Sequence, residues 1–69
     1  MSEQVYKHIE ITGTSSTTIE DAVNNALARA GKTVRAMRWF EITEMRGAVD
    51  EDHVSQWQVT IKLGFKLDD

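Results

Sequence analysis

Trp39 is a large aromatic residue at a position where the surrounding sequence predicts the exposed face of a strand. Phe40 and Ile42 share one parity in this segment, and Trp39 has the other. Because successive strand residues point to opposite sides of a sheet, an interior that holds Phe40 and Ile42 leaves Trp39 on the polar face with Glu41 and Thr43. We expect the exposed indole to be covered by another subunit, by a planar ligand, or by both.

Gln58 is the second residue with a side chain suited to ligand recognition. A hairpin centred on residues 48–49 would make Gln58 the cross-strand neighbour of Trp39 on the same face. An indole is a flat platform for an aromatic ring, and a primary amide offers an acceptor and two donor hydrogens. Such a pair suits the imide-like edge of a flavin or a nucleobase. A subunit contact at Trp39 and a solvated or interface glutamine are the alternatives that these residues leave open.

No other pattern in the chain indicates catalysis. The sequence contains no glycine-rich phosphate loop, nucleophile elbow, HExxH or paired-cysteine motif. Cysteine is absent, which removes disulfides and thiolate metal sites, and His8 and His53 are predicted to be surface residues. We therefore predict a protein that is not an enzyme. A flavin-dependent enzyme is the weakest of the hypotheses.

The bulk properties predict a single domain over residues 1–69 that gains stability by self-association. A chain of 69 residues with 41% hydrophobic composition buries only about 60% of the surface that its unfolded form exposes. With disulfides excluded, oligomerisation is the expected reinforcement. The net charge of −3 argues against a nucleic-acid partner, including a single strand stacked on Trp39. No long apolar segment marks a membrane span, and we expect a cytoplasmic protein.

Hydrophobic periodicity predicts the order strand, helix, strand, strand. The expected ranges are a strand over 4–12, a helix over 19–30, a strand over 34–46, a polar connection over 47–52 and a strand over 54–67. The apolar stripe of the helix is rich in alanine, which allows a close approach to a sheet. The helix is expected to cover the sheet face that carries Phe40, Ile42, Val59 and Ile61.

Local signals predict how these elements begin and end. Thr17 and Glu20 have the spacing of a capping box at the start of the helix. Gly31 is expected to end the helix in the left-handed conformation. Gly47 is the predicted site of unusual backbone angles in the connection between the last two strands.

The chain also resembles the bacterial dodecins, nearly from end to end. The likeness lies in Gly13-Thr14-Ser15, Leu27-Ala28-Arg29-Ala30, Lys32-Thr33-Val34-Arg35, Trp39-Phe40-Glu41, Arg46-Gly47 and Gln58-Val59-Thr60-Ile61-Lys62-Leu63-Gly64-Phe65-Lys66-Leu67. The resemblance implies an α+β fold: a β-α-β-β subunit whose three-stranded antiparallel sheet partly wraps one helix, assembled as a hollow homododecamer. It implies a protein that binds, stores, buffers and photoprotects FMN or riboflavin without turnover. A structural oligomerisation module without a cofactor is the alternative.

The resemblance also assigns the site residues. Trp39 matches the tryptophan that stacks on the flavin, with two flavins held between tryptophans of symmetry-related subunits. Gln58 matches the glutamine that pairs with the pyrimidine edge of the flavin, and Arg46 matches an arginine near the flavin site. Glu44 matches a position that faces the ribityl chain in some relatives. Some relatives also hold coenzyme A; Lys7, Lys32 and Lys66 are candidates for phosphate contacts by charge alone.

Overall fold

Four elements follow one another in the order strand, helix, strand, strand in the computed structural model, which describes residues 3–67. They are β1 (Tyr6–Ser15), α1 (Ile19–Ala30), β2 (Met37–Asp50) and β3 (His53–Lys66). The sheet order is β1-β3-β2, and both pairs of neighbouring strands are antiparallel. The predicted α+β class, the element order and the bounds of the helix are confirmed. Both β1 and β2 end later in the sequence than predicted.

The helix lies unusually close to β1, as its alanine content predicts. Gly13, which follows the predicted strand over 4–12, is a paired β1 residue opposite Val59. A Cβ atom at Gly13 would overlap the main-chain oxygen of Ala22 and the side chain of Ala26. The glycine therefore permits the close packing of α1 on the strand. The buried cluster of the core contains Ala22, Val23, Ala26, Val59 and Ile61.

The cap at the start of α1 is one residue later than the predicted pair Thr17 and Glu20. The Thr18 hydroxyl oxygen accepts a hydrogen bond of 2.9 Å from the Asp21 amide. The buried Ser15 hydroxyl donates to the Asp21 carboxylate at 2.7 Å and accepts from the Thr17 amide at 3.0 Å. Because β1 continues to Ser15, this side chain organises the turn and the cap moves to Thr18.

The predicted left-handed end of the helix at Gly31 is wrong. Gly31 has φ −62° and ψ −14°, which is right-handed backbone. The chain instead tightens beyond the helix, because the Lys32 amide bonds to the Arg29 oxygen and the Thr33 amide to the Ala30 oxygen, at 3.2 and 3.0 Å. Ala36, with φ 61°, is the left-handed residue that leads into β2.

The hairpin between β2 and β3 turns at Glu51 and Asp52, and not at the predicted Ala48–Val49. These two residues have φ values of 48° and 69°, and two consecutive positive φ angles are the requirement of a type I′ hairpin turn. Gly47 is an ordinary β2 residue opposite Trp57 and has no positive φ. The predicted connection over 47–52 was therefore too early, and β2 continues to Asp50.

The helix packs against β1 and β3 and leaves β2 uncovered. Val59 and Ile61 are fully buried, as predicted, but Phe40 and Ile42 are 46% and 40% exposed. The prediction that α1 also covers those two residues is wrong, because the sheet is wider than one helix. An apolar trough of about 540 Å³ remains between α1 and β2.

Candidate functional site

Trp39 lies on the face of the sheet that points away from α1, which we call the outer face. It pairs with Gly64 in β3, next to the inward-facing and buried Leu63. Phe40 pairs with Leu63 on the helix side of the sheet. The structure thus places Trp39 on the side that strand alternation predicts.

The indole of Trp39 lies flat over Gly64. A Cβ atom at Gly64 would overlap the Cε2, Cζ2 and Nε1 atoms of the ring, so any other residue there would displace it. Trp39 is 40% exposed, because one side of the ring rests on the strand while the other remains open. Gly64 was not among the predicted site residues. The sequence did contain an indication of its role, because a glycine inside a strictly alternating strand often marks a place where another group closely approaches the backbone.

Gln58 is not the neighbour of Trp39. The partner of Trp39 is Gly64, six positions further along β3 than Gln58. At about 3.3 Å per residue, the two side chains start about 20 Å apart in one subunit. The predicted pairing is therefore wrong, although both residues do occupy the outer face. The three fused rings of a flavin are too short to bridge this distance. One subunit therefore cannot place both residues on the same flavin.

Arg46 is the residue that the structure brings to Gln58. The two pair across β2 and β3, and the Arg46 Nε atom donates to the Gln58 Oε1 atom at 2.8 Å. The Gln58 Nε2 atom donates in turn to the Gln56 Oε1 atom at 2.9 Å. Glu44 lies beside this row, with its carboxylate 3.9 Å from the Arg46 Nη1 atom. Arg46, Gln58, Gln56 and Glu44 form the polar end of the outer face.

A β-bulge at Thr43 puts Arg46 and Glu44 on this face. Ile42 pairs with Ile61 and Glu44 pairs with Thr60, so Thr43 has no opposite partner. One extra residue reverses the alternation along the rest of the strand. Without it, an odd-numbered Trp39 and an even-numbered Arg46 would lie on opposite faces. The Thr43 hydroxyl lies 3.1 Å from the Glu10 carboxylate and 3.3 Å from the Thr60 main-chain oxygen, so it can donate a hydrogen bond to either.

The remaining candidates are spread over the molecule. His8 pairs with Gly64 from the β1 side, and Lys66 follows two positions later on the same face, so both share the outer face with Trp39. Lys7 pairs with Phe65 on the opposite face, and Lys32 follows the helix. Within residues 3–67 no three acidic, histidine or cysteine side chains form a group that could hold a metal ion. Over the same range, no helix has the length and apolar character needed to cross a bilayer.

The fold and the sequence both match one known family. A model of the Dodecin family matches residues 5–68. The chain belongs to the dodecin family. A dodecin from Thermus thermophilus is 46% identical over 66 residues, with 96% of each chain covered. The family resemblance of the sequence is therefore confirmed, together with the β-α-β-β subunit.

Solved structures and a second dodecin relative agree with this assignment. A dodecin from Streptomyces coelicolor superimposes with a TM-score of 0.93 at 43% identity, over 100% of this chain and 99% of its own. A protein named calcium dodecin from Mycobacterium tuberculosis is 35% identical over 63 residues, which is 91% of this chain and 89% of the relative. The name of that dodecin refers to calcium.

Proposed function

We propose that this dodecin binds FMN or riboflavin without chemical turnover, and that it stores, buffers and photoprotects the flavin inside a hollow homododecamer. The observation that carries the proposal is the Trp39 indole, held flat on Gly64 with its other side open. A flat aromatic ligand gains about 1–3 kcal/mol by stacking on such a platform. The acceptor and donors of Gln58 supply the polar complement to a pyrimidine edge.

The proposed site is made by two subunits. Because Trp39 and Gln58 lie at opposite ends of one outer face, a flavin that touches both takes the indole from one copy and the amide from another. If a two-fold axis related two outer faces that pack together, the Trp39 end of each subunit would meet the Gln58 end of its partner. Such an interface repeats each contact, so it creates two equivalent slots, each with one indole and one amide.

The shape of the isolated subunit supports assembly. Its radius of gyration is 14.4 Å, whereas a compact domain of this length has about 11 Å. The dimensions are 56 × 20 × 14 Å, and the hairpin of β2 and β3 gives the long axis. Neighbouring subunits would cover the exposed apolar side chains of Phe40 and Ile42 in the trough. Assembly also explains how so small a core remains folded.

Stacking accounts for photoprotection. An indole is electron-rich, so it can donate an electron rapidly to an excited isoalloxazine in contact with it. Return of the electron restores the ground state before the flavin sensitises oxygen. This role needs a platform and a slot, but no general acid, general base or nucleophile. The same geometry therefore supports binding in preference to catalysis.

Two further assignments complete the proposal. Arg46 and Glu44 lie beside Gln58. We propose that they contact the polar side chain of a flavin whose ring edge binds the Gln58 amide. Coenzyme A is proposed as a second ligand of the shell. Lys66 is the phosphate candidate nearest to Trp39 on the outer face, since it lies two positions beyond Gly64. Calorimetric titration of the assembled protein with coenzyme A tests that binding separately from flavin.

Fluorescence quenching of riboflavin and FMN tests the main proposal. The wild-type protein should quench either flavin, and Trp39→Ala should largely abolish the quenching. Trp57→Phe is the matched control, because Trp57 pairs with Gly47 on the face of the sheet opposite to Gln58 and Arg46. Native mass should be measured for each variant. An assembled wild-type protein that quenches neither flavin would instead be an interaction module without a cofactor.

A further inference from the structure

Both ends of the Gln58 amide are held by hydrogen bonds on the outer face. The carbonyl oxygen accepts from Arg46 Nε at 2.8 Å, and the amide nitrogen donates to Gln56 Oε1 at 2.9 Å. A primary amide has two acceptor lone pairs and two donor hydrogens. One lone pair and one hydrogen on neighbouring atoms of the same plane therefore remain for a ligand.

Arg46 decides which end of the amide is the acceptor. Rotating the amide by half a turn would set its NH₂ group against Arg46 Nε–H, which is also a donor. Arginine has donors and no acceptor, so that arrangement cannot form a hydrogen bond. The bond to Gln56 does not fix the orientation equally well, since a glutamine can accept or donate after its own amide rotates.

We propose that Arg46 is a positioning residue, which fixes the Gln58 amide to recognise a ligand edge with adjacent carbonyl and N–H groups. This inference rests on the proposed function and names what it selects: a flat ring system with a free imide edge. A ring whose imide nitrogen carries a methyl group would lose one hydrogen bond and meet a fixed donor and acceptor that cannot rearrange. Mismatched buried polar groups are the strongest source of discrimination between similar ligands.

A direct contact with a ligand phosphate is a different role for the same guanidinium. Glu44 lies 3.9 Å from Nη1, with the side chains of Arg46 and Glu44 64% and 59% exposed, and an exposed pair of this kind contributes little stability. The Nη groups therefore remain able to meet an anion. Riboflavin, which has no phosphate, separates positioning from charge attraction.

The experiment measures dissociation constants for riboflavin and N3-methylriboflavin by quenching. The variants are Arg46→Met, Arg46→Gln, Gln58→Ala and the double variant Arg46→Met/Gln58→Ala, with Arg35→Lys as the control outside the sheet. We expect Arg46→Met and Gln58→Ala each to weaken riboflavin binding about tenfold, equivalent to about 1.4 kcal/mol. The double variant should be no weaker than Gln58→Ala. Discrimination against the methylated ring should fall in both Arg46 variants and stay unchanged in Arg35→Lys.

The outcomes separate this inference from the proposed function. A wild-type protein that does not bind riboflavin overturns both. Wild-type binding with independent, multiplicative losses in the double variant overturns the positioning role alone, as does Arg46→Gln with wild-type discrimination against the methylated ring. Native mass identifies any variant that fails to assemble. If Arg46→Met does so, Arg46→Gln decides the question, because its amide can accept as well as donate and so does not fix the orientation of the Gln58 amide.

Discussion

The contact between Trp39 and Gly64 predicts an unusual reversal of sign for the substitution Gly64→Ala. In the wild-type background the new methyl group would overlap the indole ring. The ring must then leave the strand. More than half of the Trp39 side chain is covered, and releasing about 80 Å² of a side chain that buries about 150–250 Å² when enclosed costs about 2 kcal/mol at about 25 cal/mol per Å².

In the Trp39→Ala background the same substitution meets no indole. The backbone of Gly64 has no positive φ, so alanine is compatible with it. Replacing glycine by alanine inside a strand then stabilises by about 0.5–1 kcal/mol. The double-mutant cycle should therefore show a coupling of about 2–3 kcal/mol between the two positions, at the upper end for residues in contact.

Denaturant unfolding at one fixed subunit concentration measures the cycle, because assembly contributes to the apparent stability. Gly47→Ala is the matched control in the same hairpin: its Cβ atom would lie 3.3 Å from the Gln56 oxygen and 3.8 Å from the Trp57 ring, with no overlap with Trp39. Its effect should be the same with and without Trp39. A Gly64→Ala effect that does not depend on Trp39 would refute the placement of the indole on the glycine.

Three further substitutions test the fold and the assembly. Gly13→Ala should destabilise the protein by about 3 kcal/mol in denaturant unfolding, because its methyl group meets the fixed main chain of Ala22; an effect near zero would contradict the close packing. Thr18→Ala should cost about 1 kcal/mol by removing the helix cap, with Thr17→Ala costing less, and the opposite order would restore the predicted cap. Ile42→Asn should lower the native mass by placing an amide in the trough, whereas Val49→Asn at the hairpin end should not; an unchanged mass for Ile42→Asn would show that no subunit covers the trough.

The order of elements and the two faces of β3 follow from periodicity and could be predicted from the sequence. Val59, Ile61 and Leu63 alternate with polar residues and are buried as expected. The helix over 19–30 has the predicted bounds for the same reason. Such patterns depend only on which residues recur at the spacing of one element. They require no knowledge of how the elements meet.

The strand register could not be predicted, because it depends on where the hairpin turns. Gly47 was the predicted site of unusual backbone angles, yet Glu51 and Asp52 adopt them. That misplacement shifted the partner of Trp39 by six positions. The shift is even, so the predicted face of Trp39 survived while its predicted neighbour did not.

The polar end of the site depended on a feature with no clear signal in the sequence. The bulge at Thr43 reverses the alternation and carries Arg46 to Gln58. Alternation alone would have placed Arg46 on the face opposite Trp39. Arg46 and Glu44 were identified as site residues only through the family resemblance, and their assignment to a flavin stays a prediction.

The central claim is that a flavin lies between the outward indole of one subunit and the amide of another. Riboflavin quenching by mixed assemblies, made by refolding Trp39→Ala and Gln58→Ala subunits together, tests it most directly. We expect a new class of tight sites in the mixture, because each variant supplies the side chain that the other lacks. A titration curve equal to the sum of the two separate variants would contradict a site shared between subunits.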